Sequence, residues 1–165
     1  MTEIARSDGR YAEEAYLLIR DGLEYAAQSI HGPMTPQQQV VAEYMVASRI
    51  DYETLVEQYN SKELPKHVAR AIDKAGGPEK VNRNVRGDAL CWALRDLCLR
   101  RWGQLARTVL GRWNIRTTDD FGRIVFSLVE HGLMQKESRD TLDDFHNVYD
   151  FAEAFDQQES FFGDA

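Results

Sequence analysis

The sequence predicts a mainly helical (α+β) protein: a helical bundle with a winged-helix-like C-terminal half that carries one small β-hairpin. Three observations predict this fold. Apolar residues recur at three- and four-residue spacing along most of the chain, helix caps and stops separate these runs, and a shorter alternating pattern follows the last run. A chain of 165 residues is long enough for a substantial core, so we expect a single domain over residues 1–165.

The N-terminal helix is predicted over residues 11–30. Apolar and small side chains fall at three- and four-residue spacing from Ala12 to Ile30, with charged residues between them, so one face is expected to be buried. Gly32 can adopt the left-handed conformation of a helix C-cap, and Pro33 cannot continue the helix. The first helix is therefore expected to end there.

A helical insertion is predicted over residues 33–85. Its first helix, expected over 36–49, begins at a capping box in which Thr35 is the N-cap and Gln38 its reciprocal partner. Two further helices are expected before the chain reaches a glycine-rich linker at 76–88. The insertion thus separates the first helix from the second half of the chain.

Residues 86–150 are predicted to form the winged-helix-like unit. A helix is expected over 88–102, and a shorter helix follows, with an apolar face formed by Leu105, Val109, Leu110 and Trp113. A third helix begins at a threonine cap, and its predicted outward residues are Asp119, Asp120, Arg123, Ser127, Glu130 and His131. This third helix occupies the position of a recognition helix.

The hairpin is predicted from two alternating stretches on either side of a polar turn. These stretches are LMQKE at 133–137 and DFHNVYDF at 144–151. A closing helix and a frayed tail are expected over 151–165.

Three stretches of the sequence are distinctive: YAEEAYLLIRDGLEYA, ARTVLGRWNIRTTDDFGRIVFSLVEHGLMQKE and DTLDDFHNVYDFAEAF. Over residues 11–30 and 86–155 they resemble a family of small, uncharacterised bacterial proteins found mainly in planctomycetes and verrucomicrobia. The motifs T-D-D-F-G-x-I-V-F-x-L-V-E-x-G-L and Y-D-F-x-E-A-F carry the resemblance. The family joins its first helix to its second half through a short link, whereas residues 33–85 are inserted here. The resemblance implies that the hairpin and closing helix belong to the folded unit, and it supplies no activity or partner.

Charge is distributed unevenly along a chain whose net charge is −7. Residues 80–123 carry 10 Lys and Arg against 4 Asp and Glu, whereas residues 124–165 carry 2 against 10. This pattern favours neutralisation of the basic middle by the acidic tail, and it leaves an anionic partner as the alternative.

The sequence indicates neither a membrane protein nor a secreted one. No apolar run approaches the ~20 residues that a membrane span needs, and the N-terminus lacks the apolar core of a signal peptide. We therefore expect a cytoplasmic protein that does not bind membranes. Cys91 and Cys98 lie roughly 10 Å apart on one predicted helix, too far for a disulfide, and are expected to be buried thiols.

No motif indicates a catalytic, cofactor-binding or metal site. The histidines are scattered, and the sequence has neither a nucleophile-elbow motif nor a glycine-rich phosphate loop. Asp143, Asp144 and Asp150 could in principle gather a hard cation, but a solvated acidic surface is the favoured interpretation. We therefore expect a non-enzymatic protein without a catalytic residue, cofactor or metal.

Sequence-specific DNA binding is disfavoured, because the predicted recognition helix presents more carboxylates than cations to phosphate. Arginines lie on the two preceding helices instead, and Arg100, Arg101, Arg107 and Arg112 are the candidate contacts for an anionic partner. Trp102 beside them is expected to be core. The adjacent Phe161 and Phe162 in the acidic tail are candidate protein contacts, either for a docking partner or in a homo-oligomer.

The hypothesis favoured by the sequence is therefore a non-enzymatic protein–protein interaction or adaptor protein with an unidentified protein partner. The alternative is a factor that binds RNA or the ribosome through the arginine-rich middle.

Overall fold

The computed structural model describes residues 2–134 and 141–156. Within these ranges the chain forms α-helices and short 3-10 turns, with no strand. The helices are α1 (Thr2–Asp8), α2 (Glu13–His31), α3 (Pro36–Ser48), α4 (Tyr52–Asn60), α5 (Lys66–Ala75), α6 (Gly87–Trp102), α7 (Ala106–Arg112), α8 (Thr118–Glu130) and α9 (Phe151–Asp156). None of these helices is both long enough and apolar enough to span a bilayer.

The described residues divide into two compact units, each with its own buried apolar cluster. Unit 1 comprises residues 2–30, 85–134 and 141–156, and unit 2 comprises residues 31–84. Unit 1 is thus discontinuous in sequence, whereas the described part of unit 2 is one continuous segment. The helical insertion predicted over 33–85 falls within unit 2 except for its last residue.

The core of unit 1 forms where α2, α6 and α8 meet. Tyr16, Leu94 and Phe121 are among its fully buried side chains. α2 approaches α6 so closely that a Cβ atom at Gly22 would lie 2.2 Å from Leu94 Cδ2. A contact below about 3 Å would force the Leu94 side chain to move, so glycine at this position permits the observed packing of the two helices.

The β-hairpin predicted in the second half is wrong, and so is the winged-helix-like unit that depended on it. The first strand of the hairpin was predicted over 133–137. Only Leu133 and Met134 of this stretch lie within the described residues, and they form a bend after α8. The second, 144–151, contains the end of a 3-10 turn, an irregular segment and the first residue of α9. With no strand in the described part of the chain, the structure there is all-helical.

Local hydrogen bonds and aromatic packing explain why residues 141–156 do not form a strand. Thr141 and Asp144 form a capping box, in which the Thr141 amide donates to Asp144 Oδ2 at 3.0 Å, and this fixes a 3-10 turn over Leu142–Phe145. Phe145 is buried against α8, where a Cβ atom at Gly122 would lie 2.8 Å from its ring. The alternating apolar pattern therefore reflects aromatic side chains that enter the core from irregular backbone.

The first helix of the insertion begins and ends where its sequence signals predict. The predicted helix over 36–49 is confirmed as α3, whose capping box joins Thr35 and Gln38 in both directions. α3 packs on α5, and the side chains of Val41, Leu55 and Ile72 are fully buried between the helices of this unit.

The two ends of unit 2 lie side by side. His31 Nε2 lies 2.8 Å from the Asn84 carbonyl oxygen, and Arg83 donates to the Gly32 carbonyl oxygen at 2.8 Å. We call these two adjoining ends the neck of unit 2. Arg83 also donates to Gln38 Oε1 at 3.2 Å, which joins the neck to the start of α3. The chain therefore enters and leaves unit 2 at adjacent points.

Candidate interaction surface

The arginines that the sequence suggested as contacts for an anionic partner lie on α6 and α7 of unit 1. Arg100 and Arg101 occupy the last turn of α6, and Arg107 and Arg112 belong to α7. All four side chains are exposed. We define the arginine surface as these four residues together with Leu105, which lies in the 3-10 turn between the two helices.

Side chains of α2 hold the first two arginines of this surface. Arg101 donates to Asp21 Oδ2 at 3.0 Å, and the guanidinium carbon of Arg100 lies 5.5 Å from the centroid of the Tyr25 ring. Burial raises the pKa of Tyr25, while the Arg100 cation opposes this rise. The phenol thus stays neutral near pH 7 and offers its ring to the cation. These contacts restrict the side chains of Arg100 and Arg101.

Arg107 and Arg112 differ from this pair in their surroundings. Neither has a carboxylate oxygen within 4.0 Å in residues 2–134 and 141–156. Both lie on the outward side of α7, whose inward side buries Ala106 and Leu110. The charge pattern favoured neutralisation of the basic middle by the acidic tail. No acidic residue in the described ranges forms an ion pair with Arg107 or Arg112. Residues 157–165 of that tail lie outside the described ranges.

Two tryptophans, Trp102 and Trp113, directly follow Arg101 and Arg112 in sequence. Trp102 and Trp113 meet edge to face, with ring centroids 5.4 Å apart, and both pack against the core of unit 1. Trp102 is therefore half-buried against the core that the sequence predicted for it, and it is not an exposed stacking platform.

Leu105 is exposed, contrary to the prediction from the sequence. The apolar spacing placed it on the buried face of a helix, but its side chain is 64% exposed. The reason is that α7 begins at Ala106, after the 3-10 turn, so that Ala106 and Leu110 fill the inward positions instead. Sequence reasoning therefore missed an apolar residue within the arginine surface.

A second correction concerns α8, two of whose predicted outward residues are buried. Asp120 is 8% exposed and Ser127 is 7% exposed. Asp120 accepts hydrogen bonds from the Tyr11 hydroxyl at 2.6 Å and from the amide of Arg116 at 2.8 Å, and it pairs with Arg123 at 2.8 Å. Burial disfavours its ionised form, but these donors outweigh burial and lower the pKa of Asp120. Asp120 therefore serves to join α8 to the segment before α2.

Ser127 takes part in a similar junction with α1. The Asp8 carboxylate accepts hydrogen bonds from the Ser127 hydroxyl and, at 2.8 Å, from the Tyr16 hydroxyl. The Ser127 bond is the main cause that lowers the pKa of Asp8. His131 Nδ1 lies 2.8 Å from the Ser127 carbonyl oxygen, which agrees with its predicted role as a helix cap. These polar groups join α8 to α1 and α2.

Two of the acidic residues considered as cation ligands, and both thiols, have structural explanations. Asp144 caps the 3-10 turn at 142–145, and Asp150 accepts from the Ala152 amide at 2.7 Å at the start of α9. In the described ranges no three His, Cys, Asp or Glu residues converge as metal ligands would. Cys91 and Cys98 are buried free thiols, as predicted, and burial raises the pKa of Cys98 to about 12.

The two candidate protein contacts in the tail, Phe161 and Phe162, lie outside the described residues. Comparisons with protein-family models, with curated proteins and with solved structures found no significant match to this chain.

Proposed function

We propose that the protein is a non-enzymatic interaction protein that binds an acidic protein surface through its arginine surface. The observation that carries this proposal is the exposure of Arg107 and Arg112 without a described carboxylate partner, next to two arginines that α2 holds in position. Guanidinium groups form paired hydrogen bonds with carboxylates, so this surface suits acidic side chains.

Leu105 favours a protein partner over a nucleic acid. An exposed leucine among arginines gains free energy when it is covered by apolar side chains, which a phosphate backbone does not supply. The net charge of −7 also opposes the approach of a long polyanion, whereas a local acidic patch meets mainly the nearby arginines.

A binding assay with defined probes tests the proposal. We expect a fluorescent peptide with alternating glutamate and leucine to bind the full chain more tightly than a single-stranded RNA of equal charge. The double substitution Arg107→Glu and Arg112→Glu should abolish peptide binding. Lys66→Glu with Arg70→Glu makes the same charge change on exposed residues of α5 and serves as the matched control.

A tagged pull-down with and without nuclease, at low and high salt, extends this test to cellular partners. Capture of a protein that survives nuclease and depends on Arg107 and Arg112 is the expected result. Capture that nuclease abolishes would overturn the proposal and replace it with RNA binding. Equal loss of peptide binding in the α5 control would show that net charge alone explains the effect.

A further inference from the structure

The arginine surface adjoins an acidic surface on a neighbouring helix of the same unit. α7 packs against α9, and α9 is fixed to α6 by a hydrogen bond of 2.8 Å from Arg95 Nε to the Ala154 carbonyl oxygen. α9 buries Phe151 and Phe155 on its inward side. Its outward side carries Glu153 and Asp156, which are exposed and one helical turn apart.

In the described part of the chain, the arginines of α7 form no ion pair with the carboxylates of α9. Within the described ranges, no ion pair of 4.0 Å or less joins Arg107 or Arg112 to Glu153 or Asp156. α7 thus contributes exposed cations, and its neighbour α9 contributes exposed carboxylates, to the surface of unit 1. Such a surface is complementary to a copy of itself turned by half a revolution.

We propose that α7 and α9 form a two-fold interface with a second copy of this chain. The arginines of α7 in each copy meet Glu153 and Asp156 in the other, and Leu105 is covered in the contact. This inference rests on the proposed function, because it identifies the acidic protein surface as one that the chain itself carries.

The placement of the charges favours a closed dimer over an open chain. In a two-fold contact the same patch is used by both copies, so every arginine–carboxylate pair forms twice. Basic and acidic patches on opposite sides of a molecule would instead join copies head to tail. Exposed ion pairs are individually weak and are screened by salt, so the dimer should dissociate as the ionic strength rises.

Sedimentation velocity of the full chain over a concentration series tests the inference. We expect the wild type to dimerise at low salt and to become monomeric at high salt. Arg107→Glu with Arg112→Glu should be monomeric at low salt, and so should Glu153→Lys with Asp156→Lys. Mixing these two variants in equal amounts should restore a dimer, because each then supplies the charge that the other needs.

Matched controls on unit 2 exclude an effect of net charge. Lys66→Glu with Arg70→Glu, and Glu57→Lys with Glu63→Lys, change exposed side chains by the same charge and should remain dimeric. If a charge-reversed variant of unit 1 fails to fold by circular dichroism, the glutamine variants at the same positions replace it, with monomers again expected.

The inference is overturned if the wild type stays monomeric at low salt, or if the mixed variants fail to associate. Peptide binding that depends on Arg107 and Arg112 would then still support the proposed function. Loss of both self-association and peptide binding would remove both proposals.

Discussion

Unit 1 and unit 2 use polar groups in different ways. In unit 1, buried or half-buried polar side chains join segments far apart in sequence: Tyr11 donates to Asp120, and the Thr118 hydroxyl donates to the Phe145 carbonyl oxygen at 2.6 Å. In unit 2, the buried set is apolar, and the polar bonds lie at helix ends, at the neck or on partly exposed side chains. Unit 1 should therefore respond more strongly than unit 2 to pH and to the loss of single polar groups.

Removing large core side chains should have the greatest effect and should show whether the two units unfold separately. Phe121 is fully buried in unit 1 and Leu55 is fully buried in unit 2. Phe121→Ala should lower the free energy of unfolding by ~3–5 kcal/mol, and Leu55→Ala by ~2–5 kcal/mol, because each leaves a cavity. All three tryptophans lie in unit 1, so their fluorescence during urea denaturation reports that unit alone.

Phe121→Ala should thus shift the fluorescence transition, whereas Leu55→Ala should act on the hydrogen exchange of amides in 36–75. A fluorescence midpoint that moves equally in both variants would contradict separate unfolding.

Removing one carboxylate from each unit tests the difference in polar groups directly. Asp120→Ala leaves a buried tyrosine hydroxyl and the backbone amides before α8 without their hydrogen-bond acceptor. It should therefore lower the free energy of unfolding by about 2–3 kcal/mol. Asp51 is the N-cap of α4, where its side chain accepts from the Thr54 amide at 2.8 Å, and Asp51→Ala should cost about 1 kcal/mol. Urea denaturation followed by circular dichroism gives both values, and equal costs would contradict the comparison.

The pH dependence of stability should follow the carboxylates with lowered pKa values. The pKa of Asp120 and that of Asp8 lie below 3.8 in the folded state, because hydrogen-bond donors favour their ionised forms. Their contribution to stability is therefore complete above the unfolded value of about 3.8, and it is lost as the pH falls through the lower folded values. In the wild type, the urea midpoint measured by fluorescence should decrease as the pH falls, and Asp120→Asn should make this decrease smaller. A decrease as large as that of the wild type would show that Asp120 does not contribute.

Excision of unit 2 should have the smallest effect on unit 1. Because the two ends of unit 2 meet at the neck, residues 33–83 can be replaced by a short glycine linker without stretching α2 or α6. The tryptophan transition of the shortened chain should stay close to that of the wild type. An unfolded product would mean that unit 1 requires unit 2.

Features fixed by residues close in sequence were predictable, whereas features fixed by residues far apart in sequence were not. The start of α3 was predictable because its capping box joins Thr35 to a residue three positions away. The exposure of Leu105 and the burial of Asp120 were not, because the first depends on where a 3-10 turn ends and the second on Tyr11, 109 residues away. The false hairpin has the same origin, since Phe145 and Phe151 follow the shape of the core and not the alternation of a strand.

The arginine surface was predictable in part. Charge counts identified the basic segment and its four candidate residues, because charged side chains on amphipathic helices face solvent. The pairing of Arg101 with Asp21, 80 residues away, and the lack of such a partner for Arg107 could not be read from spacing.

The discontinuity of unit 1 imposes an order on the synthesis of the chain. Residues 31–84 are complete and can fold while α6 has yet to emerge from the ribosome, whereas α1 and α2 have no core to join until α6 and α8 follow. At ~5–20 residues per second, α2 waits several seconds with its apolar face uncovered. During that interval unit 2 can be folded while the apolar face of α2 is still exposed, and chaperones are expected to bind the nascent chain in that form.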